Sequence, residues 1–201
     1  MCDEIEKYKK DHNYDFSNYF DSKQIDNDTE ALLNNFLNNP KYQLNPEKRL
    51  VPVIELAKSI GFSVFLVSFI HRDIQATIGI SKKLIKQYGT KKVIILNNQY
   101  TDEEILFALC HILAHYIYDY RNNIYDEYSN TYKIGEGINA NEKRANQFVL
   151  SLLMPKHSFM EAYLELSKNI HDKNLIISAL ANTFLVYEGL VLLRLKQLNL
   201  K

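Results

Sequence analysis

Cysteine is scarce in this 201-residue chain: Cys2 and Cys110 are the two present. Two thiols make no disulfide framework, so a reducing, cytoplasmic setting is expected. Net charge is missing as well. Lys+Arg and Asp+Glu both number 24, which leaves a formal net charge of zero. Broad electrostatic capture of nucleic acid or of an anionic membrane needs clustered basic charge, so no direct nucleic-acid partner is expected, although a local basic patch is compatible with a balanced total. The opening MCDEIEKYKKDHNYDF lacks the basic-then-apolar design of a secretory leader. No apolar run approaches the roughly 18–20 residues that a membrane-spanning helix needs, and no membrane partner is expected. Apolar residues nevertheless make up 46% of the chain, enough for a packed interior and unlike the composition of a disordered protein. No internal repeat or low-complexity tract is evident.

The pattern divides the chain near residue 50. Residues 1–49 form a polar, partly helical N-terminal region. Its first 30 or so residues show no sustained periodicity and read as loosely packed or partner-dependent; Glu30–Leu37 (EALLNNFL) then suits a short amphipathic helix, and NNPKYQLNPEK a connection. Residues 50–201 carry the organised domain. Pro52 suits a first helical turn, and Val53, Leu56, Ala57 and Ile60 make a helical apolar stripe that stops at Gly61. Three runs of strand length and strand composition follow, FSVFLVS (62–68), IQATIGI (74–80) and KVIIL (92–96).

Thr101-Asp102-Glu103-Glu104 has the form of a capping box, with Thr101 capping the open N–H groups and Glu104 reaching back. The helix it opens, ILFALCHILAHYIYDY, is apolar on almost every side and should be buried. A polar, Tyr-rich loop is expected over 121–137. A second helix starts between Asn139 and Glu142 and runs to Pro155, and two or three more fill 157–201.

His111 and His115 stand four apart on the buried helix, so both project from one face and two imidazoles can reach one ion. Spacing alone does not decide the matter, because two such histidines can also be hydrogen-bonded within a core. Glu142, on the next helix, offers a carboxylate that would complete a three-ligand zinc site with an open fourth position. Taken by itself Glu142 reads as a solvated helix-start glutamate favoured by the dipole.

Several segments, in order, resemble the ImmA/IrrE family of metallopeptidases: VPVIELAKSIGFSVFLV, KVIILNN, LFALCHILAHYI, EKRANQFVLSLLMP and LIISALANTFLVYEGLVLLRLKQLNL. The family pattern has an FTLAHELGH helix, an ExxANxFAxxLLMP helix and an LAxxFxVSxxxxxxRLxxLGL ending. The joint match of ANQF, LLMP and RLKQLNL at similar spacing is more specific than any single piece, and it spans nearly all of 50–200. The resemblance implies an α+β, zincin-like fold: a short twisted sheet, a buried metal-site helix and a helical C-terminus. It implies His111, His115 and Glu142 as zinc ligands. It also implies a protein partner, such as a helix-turn-helix repressor of a mobile element or phage or a toxin–antitoxin component.

One departure bears on catalysis. In HExxH the residue after the first histidine is the glutamate that activates water, and here it is Ile112. Isoleucine accepts no proton, and losing a positioned general base costs on the order of 100- to 10,000-fold in rate. Glu104 lies on the His111 face but about 10 Å back along the axis, and Glu103 is no better placed. Ala114 replaces the usual glycine, and Cys110 the usual alanine. Cys110 should point into the core as an inert thiol. His12, His71, His157 and His171 lie outside the motif. Of 14 tyrosines, six cluster at Tyr116, Tyr118, Tyr120, Tyr125, Tyr128 and Tyr132, and the sequence singles none out as an oxyanion donor. The C-terminal segment has a helix-turn-helix look. Its second helix is mostly Leu and Val, with Arg194 and Lys196 the basic residues before Lys201, a poor match to a recognition helix. The expectations are therefore a catalytically impaired regulator, an active zinc endopeptidase with a non-standard base, or a metal-free structural domain.

Overall fold

Side chains branched at Cβ are stiff at χ1 and pack well on a pleated surface, and three Val/Ile-rich runs extend accordingly. They form β1 (Ser63–Val67), β2 (Ile74–Ile80) and β3 (Lys92–Asn97). The structure is a computed structural model that describes residues 22–38, 49–120, 127–133 and 139–200. Parts of the expected N-terminal region and connection, together with Cys2, His12 and Tyr125, lie outside the described residues. A fourth strand, β4 (Tyr128–Lys133), completes a sheet of order β1-β3-β2-β4. β1 runs parallel to β3, and β2 is antiparallel to both β3 and β4.

The strand β4 corrects the expected loop over 121–137; 121–126 and 134–138 lie outside the described residues. Its sequence YSNTYK has no apolar run to announce it. It is extended because it pairs with β2, Tyr128 opposite Ile80 and Tyr132 opposite Ala76. Only a distant part of the chain supplies that partner.

The chain divides into two compact units, one running from Pro52 to Val149 and one joining Met1–Val51 to Leu150–Lys201. In the first, α2 (Val53–Ser59), a short α3 (Leu84–Tyr88) and the sheet accompany α4 (Asp102–His115). The capping box is present: Glu104 N–H donates to Thr101 Oγ1 at 3.4 Å, and Thr101 N–H to Glu104 Oε2 at 2.9 Å. From Phe107 to His115 every residue of α4 is buried, as its all-round apolarity predicts. A π-helical turn, Tyr116–Tyr120, follows directly. Such turns are uncommon and are often found at functional sites. The next helix, α5 (Ala140–Leu153), begins in this unit and contains the division.

The second unit holds α1 (Ser22–Leu37), the end of α5, α6 (Lys156–Asn169), α7 (Lys173–Phe184) and α8 (Glu188–Gln197). Among the described residues the first helix reaches back to Ser22, well before Glu30, because Ile25 and Thr29 continue inward the stripe of Leu33 and Phe36. Asp26, on the same face, receives Arg194 Nη1 at 2.8 Å and Ser151 Oγ at 2.6 Å. Arg194 is fully enclosed. One of the few basic residues of the helix-turn-helix-like tail is thus spent on an internal ion pair. Among the described residues no single helix is long and apolar enough to cross a membrane; α7 and α8 would reach that length only as a pair bent by 103°.

Candidate metal centre

Four residues along an α-helix carry a side chain through about 400° and a rise of about 6 Å, which stacks His115 one turn beyond His111. Both imidazoles are buried, at 2% and 5% exposure. Glu142 comes from the first turn of α5, whose start is fixed by Asn139: its side-chain oxygen accepts from the N–H groups of Asn141 (2.9 Å) and Glu142 (3.0 Å). The start falls where the sequence places it.

The three side chains converge. His111 Nε2 lies 2.9 Å from Glu142 Oε2, His115 Nε2 lies 3.2 Å from Glu142 Oε1, and the two Nε2 atoms are 3.1 Å apart. Zinc bonds of about 2.0–2.2 Å in tetrahedral geometry put neighbouring donors about 3.3–3.6 Å apart. The observed separations, which involve both Glu142 oxygens, are shorter by a few tenths of an ångström, and a small opening of the cluster would accommodate an ion. Among the described residues this is the one group of three His, Cys, Asp or Glu side chains so placed. Two imidazoles and one carboxylate are a zinc-type donor set, and the residues present fit the ion.

The outer nitrogens are also held. His111 Nδ1 is 3.0 Å from Asn146 Oδ1, and His115 Nδ1 is 2.6 Å from Asp119 Oδ2. In the tautomer that carries its proton on Nδ1, each ring would donate outward to Asn146 or Asp119 and leave its Nε2 lone pair for an ion held beside Glu142. The other oxygen of Asp119 takes Arg144 Nη2, and the Arg144 guanidinium lies 4.9 Å from the centre of the Tyr118 ring. Tyr132 of β4 stacks on His111, with centroids 4.2 Å apart and planes at 30°.

Electrostatics separates the two histidines. Burial pushes the His111 pKa down, and the hydrogen bond to Glu142 offsets this only in part. Burial opposes charge on His115 too, but Glu142 and Asp119 outweigh it and the net shift is upward. Glu142 pays a burial penalty, yet its two histidine partners hold its carboxyl well below the usual carboxylate range.

The remaining candidates are placed as follows. Ile112 is completely buried and offers no proton acceptor. Glu104 is committed to Thr101 in the capping box. Cys110 is enclosed, and burial pushes its thiol well above its ordinary value, which is the inert state. His71 and His171 are exposed, and His157 pairs with Glu161 at 3.2 Å on the surface. The tyrosines mostly pack on one another, Tyr116 on Tyr120 at 5.6 Å and Tyr120 on Tyr128 at 4.7 Å.

Asp119, Asn146 and Arg144 are not among the candidate residues read from the sequence, and Tyr132 stands there only as one of six clustered tyrosines. Two of them carry a readable signal: Asp119 lies four residues after His115, and Asn146 four after Glu142, each on its ligand's helical face. Tyr132 carries none, because its strand is recognisable only once paired.

The model of a peptidase family, the IrrE N-terminal-like domain, matches residues 69–196, a span that includes the whole His111/His115/Glu142 cluster. The chain belongs to that family. No curated protein sequence matches it. Its lineage is therefore that of an IrrE-like metallopeptidase-type domain of mixed α+β architecture, and the resemblance read from the sequence holds.

Proposed function

We propose that this IrrE-like domain binds zinc through His111, His115 and Glu142 and acts in the cytoplasm as a catalytically impaired regulator that grips a protein partner without cleaving it. The observation that carries this reading is the converged ligand triangle beside a fully buried Ile112. When bound, zinc would supply Lewis acidity toward a carbonyl or a water molecule. The protein's own part is to orient the two imidazoles, set the charge of the site with Glu142, and wall one side with Tyr132. No side chain on α4 is placed to take a proton where the general base of HExxH would stand. The partner suggested by the family resemblance is a helix-turn-helix repressor or a toxin–antitoxin component.

The test has two parts. Elemental analysis of the purified chain should find about one zinc per molecule, a stoichiometry that a metal-free structural core could not produce. Incubated with a repressor encoded nearby, the wild type should form a complex in which the partner stays intact, and Ile112→Glu should gain cleavage. Family membership favours a second reading, an active endopeptidase whose base comes from elsewhere, and cleavage by the wild type would establish it over the first.

A further inference from the structure

The contacts outside the ligand triangle are unequal, and that inequality assigns roles. His111 is held by a neutral amide, Asn146, from the same helix that supplies Glu142. His115 is held by a full carboxylate, Asp119, at 2.6 Å. Asp119 is fixed in turn by Arg144, which lies two residues after Glu142 on α5. It sits on the π-helical turn that continues α4 past its last α-helical residue, which keeps Asp119 over the histidine face. Helix α5 thus delivers a ligand, one imidazole's acceptor and the anchor of the other's.

We propose that Asp119, anchored by Arg144, and Asn146 are positioning residues of the metal centre. Each accepts the Nδ1–H of one histidine, which fixes its tautomer and aims its Nε2 lone pair at the ion. Asp119 in addition raises the donor strength of His115. This assignment rests on the zinc reading above.

The experiment is a competition titration of the full chain against a chromophoric zinc chelator, with histidine tautomers read in parallel from long-range ¹⁵N–¹H NMR. Asp119→Ala and Asn146→Ala should each weaken zinc binding by about 10- to 100-fold, and each should scramble the tautomer of its own histidine only. Asp119→Asn and Asn146→Asp keep an acceptor oxygen at the same place. They should retain the Nδ1–H tautomer, with Asn146→Asp binding at least as tightly as wild type and Asp119→Asn falling between wild type and Asp119→Ala. Glu127→Ala, which removes an exposed carboxylate paired with Lys83 in the same unit, serves as the control and should leave affinity unchanged. Zinc bound by the wild type and equally by both alanine variants would overturn this assignment and leave the zinc reading intact. A wild type that takes up no zinc would remove both. Should an alanine variant fail to fold, its conservative counterpart decides the matter: loss of the Nδ1–H tautomer in Asp119→Asn or Asn146→Asp would contradict the assignment.

Discussion

Replacing Asp26 by Ala should be among the most destabilising single changes in the unit that joins Met1–Val51 to Leu150–Lys201. Arg194 is completely buried, and its Nη1 donates to Asp26 Oδ1 at 2.8 Å and to Gln197 Oε1 at 2.8 Å. Its Nε donates to the carbonyl of Met154 at 2.9 Å, and its Nη2 has no hydrogen-bond partner. Asp26 is the carboxylate that hydrogen-bonds the guanidinium, Glu30 adds a smaller attraction, and burial still pulls its pKa down. Removing one partner of a buried pair costs about 3–5 kcal/mol, because the other charge is left uncompensated. Ser151 Oγ, also fully buried, loses its acceptor too. For a urea m-value of about 2 kcal/mol/M the midpoint should fall by roughly 1.5–2.5 M, a large share of a typical total stability of about 5–15 kcal/mol.

The reverse change, Arg194→Met, should cost less. The Asp26 side chain keeps 10% exposure against none for Arg194, so the carboxylate can regain some solvent while the methionine fills the apolar volume. The double variant should then be much more stable than the sum of the two losses implies. Urea unfolding at pH 7, followed by far-UV circular dichroism on all four proteins, measures the coupling. If the losses simply add to within about 0.5 kcal/mol, the two residues are energetically independent and the account of Arg194 as a charge neutralised by α1 is wrong.

Three further outcomes follow from the geometry. Zinc affinity should weaken as pH falls, and it should begin to do so above the ordinary histidine value of 6.5, because the pKa of His115 is raised and its proton competes with the ion; chelator competition between pH 5 and 8 measures this, and a flat profile would contradict it. The sign reverses for metal-free stability: the upward shift of His115 contributes fully below 6.5 and is lost as pH rises through the folded value. Cys110, buried and with its thiol pKa well raised, should resist iodoacetamide in a Cys2→Ser background until denaturant is added; prompt labelling of the native protein would show it accessible. Thr101→Ala should lower stability by about 1 kcal/mol through loss of the N-cap, read as a shift in thermal midpoint, with the α4 sequence otherwise unchanged.

What could be read in advance follows the range of the interactions involved. The capping box at Thr101, the buried helix and the start of α5 each depend on residues within one or two turns, and each forms where local pattern indicates. The His111/His115 pair belongs to the same class, since helical geometry alone puts the two on one face. Asp119 and Asn146 were legible by the same spacing, but a helix-period reading assigns meaning to a polar residue only when its partner is known. The first helix is an intermediate case. Glu30–Leu37 showed its amphipathic character, while Ser22–Thr29 reads as polar because Asp26 and Thr29 occupy inward positions that apolar residues normally hold.

Local order thus carried α2, α4, α5, three of the four described strands and the His111/His115 pair to within a few residues, because those features are selected by periodicity and capping within a dozen residues; it missed the first half of α1 and the short α3. Long-range closure decided the rest. Strand β4 exists because β2 lies beside it, and through it Tyr132 reaches His111 across 21 positions of sequence. Arg194 is an internal cation rather than a surface one because Asp26, 168 residues away in the chain, meets it in the core. Glu142 became part of a donor triangle only when α5 was brought against α4, 31 residues from His111. Contacts of that span leave no periodic mark, since each depends on how two elements pack and not on the order of residues within either.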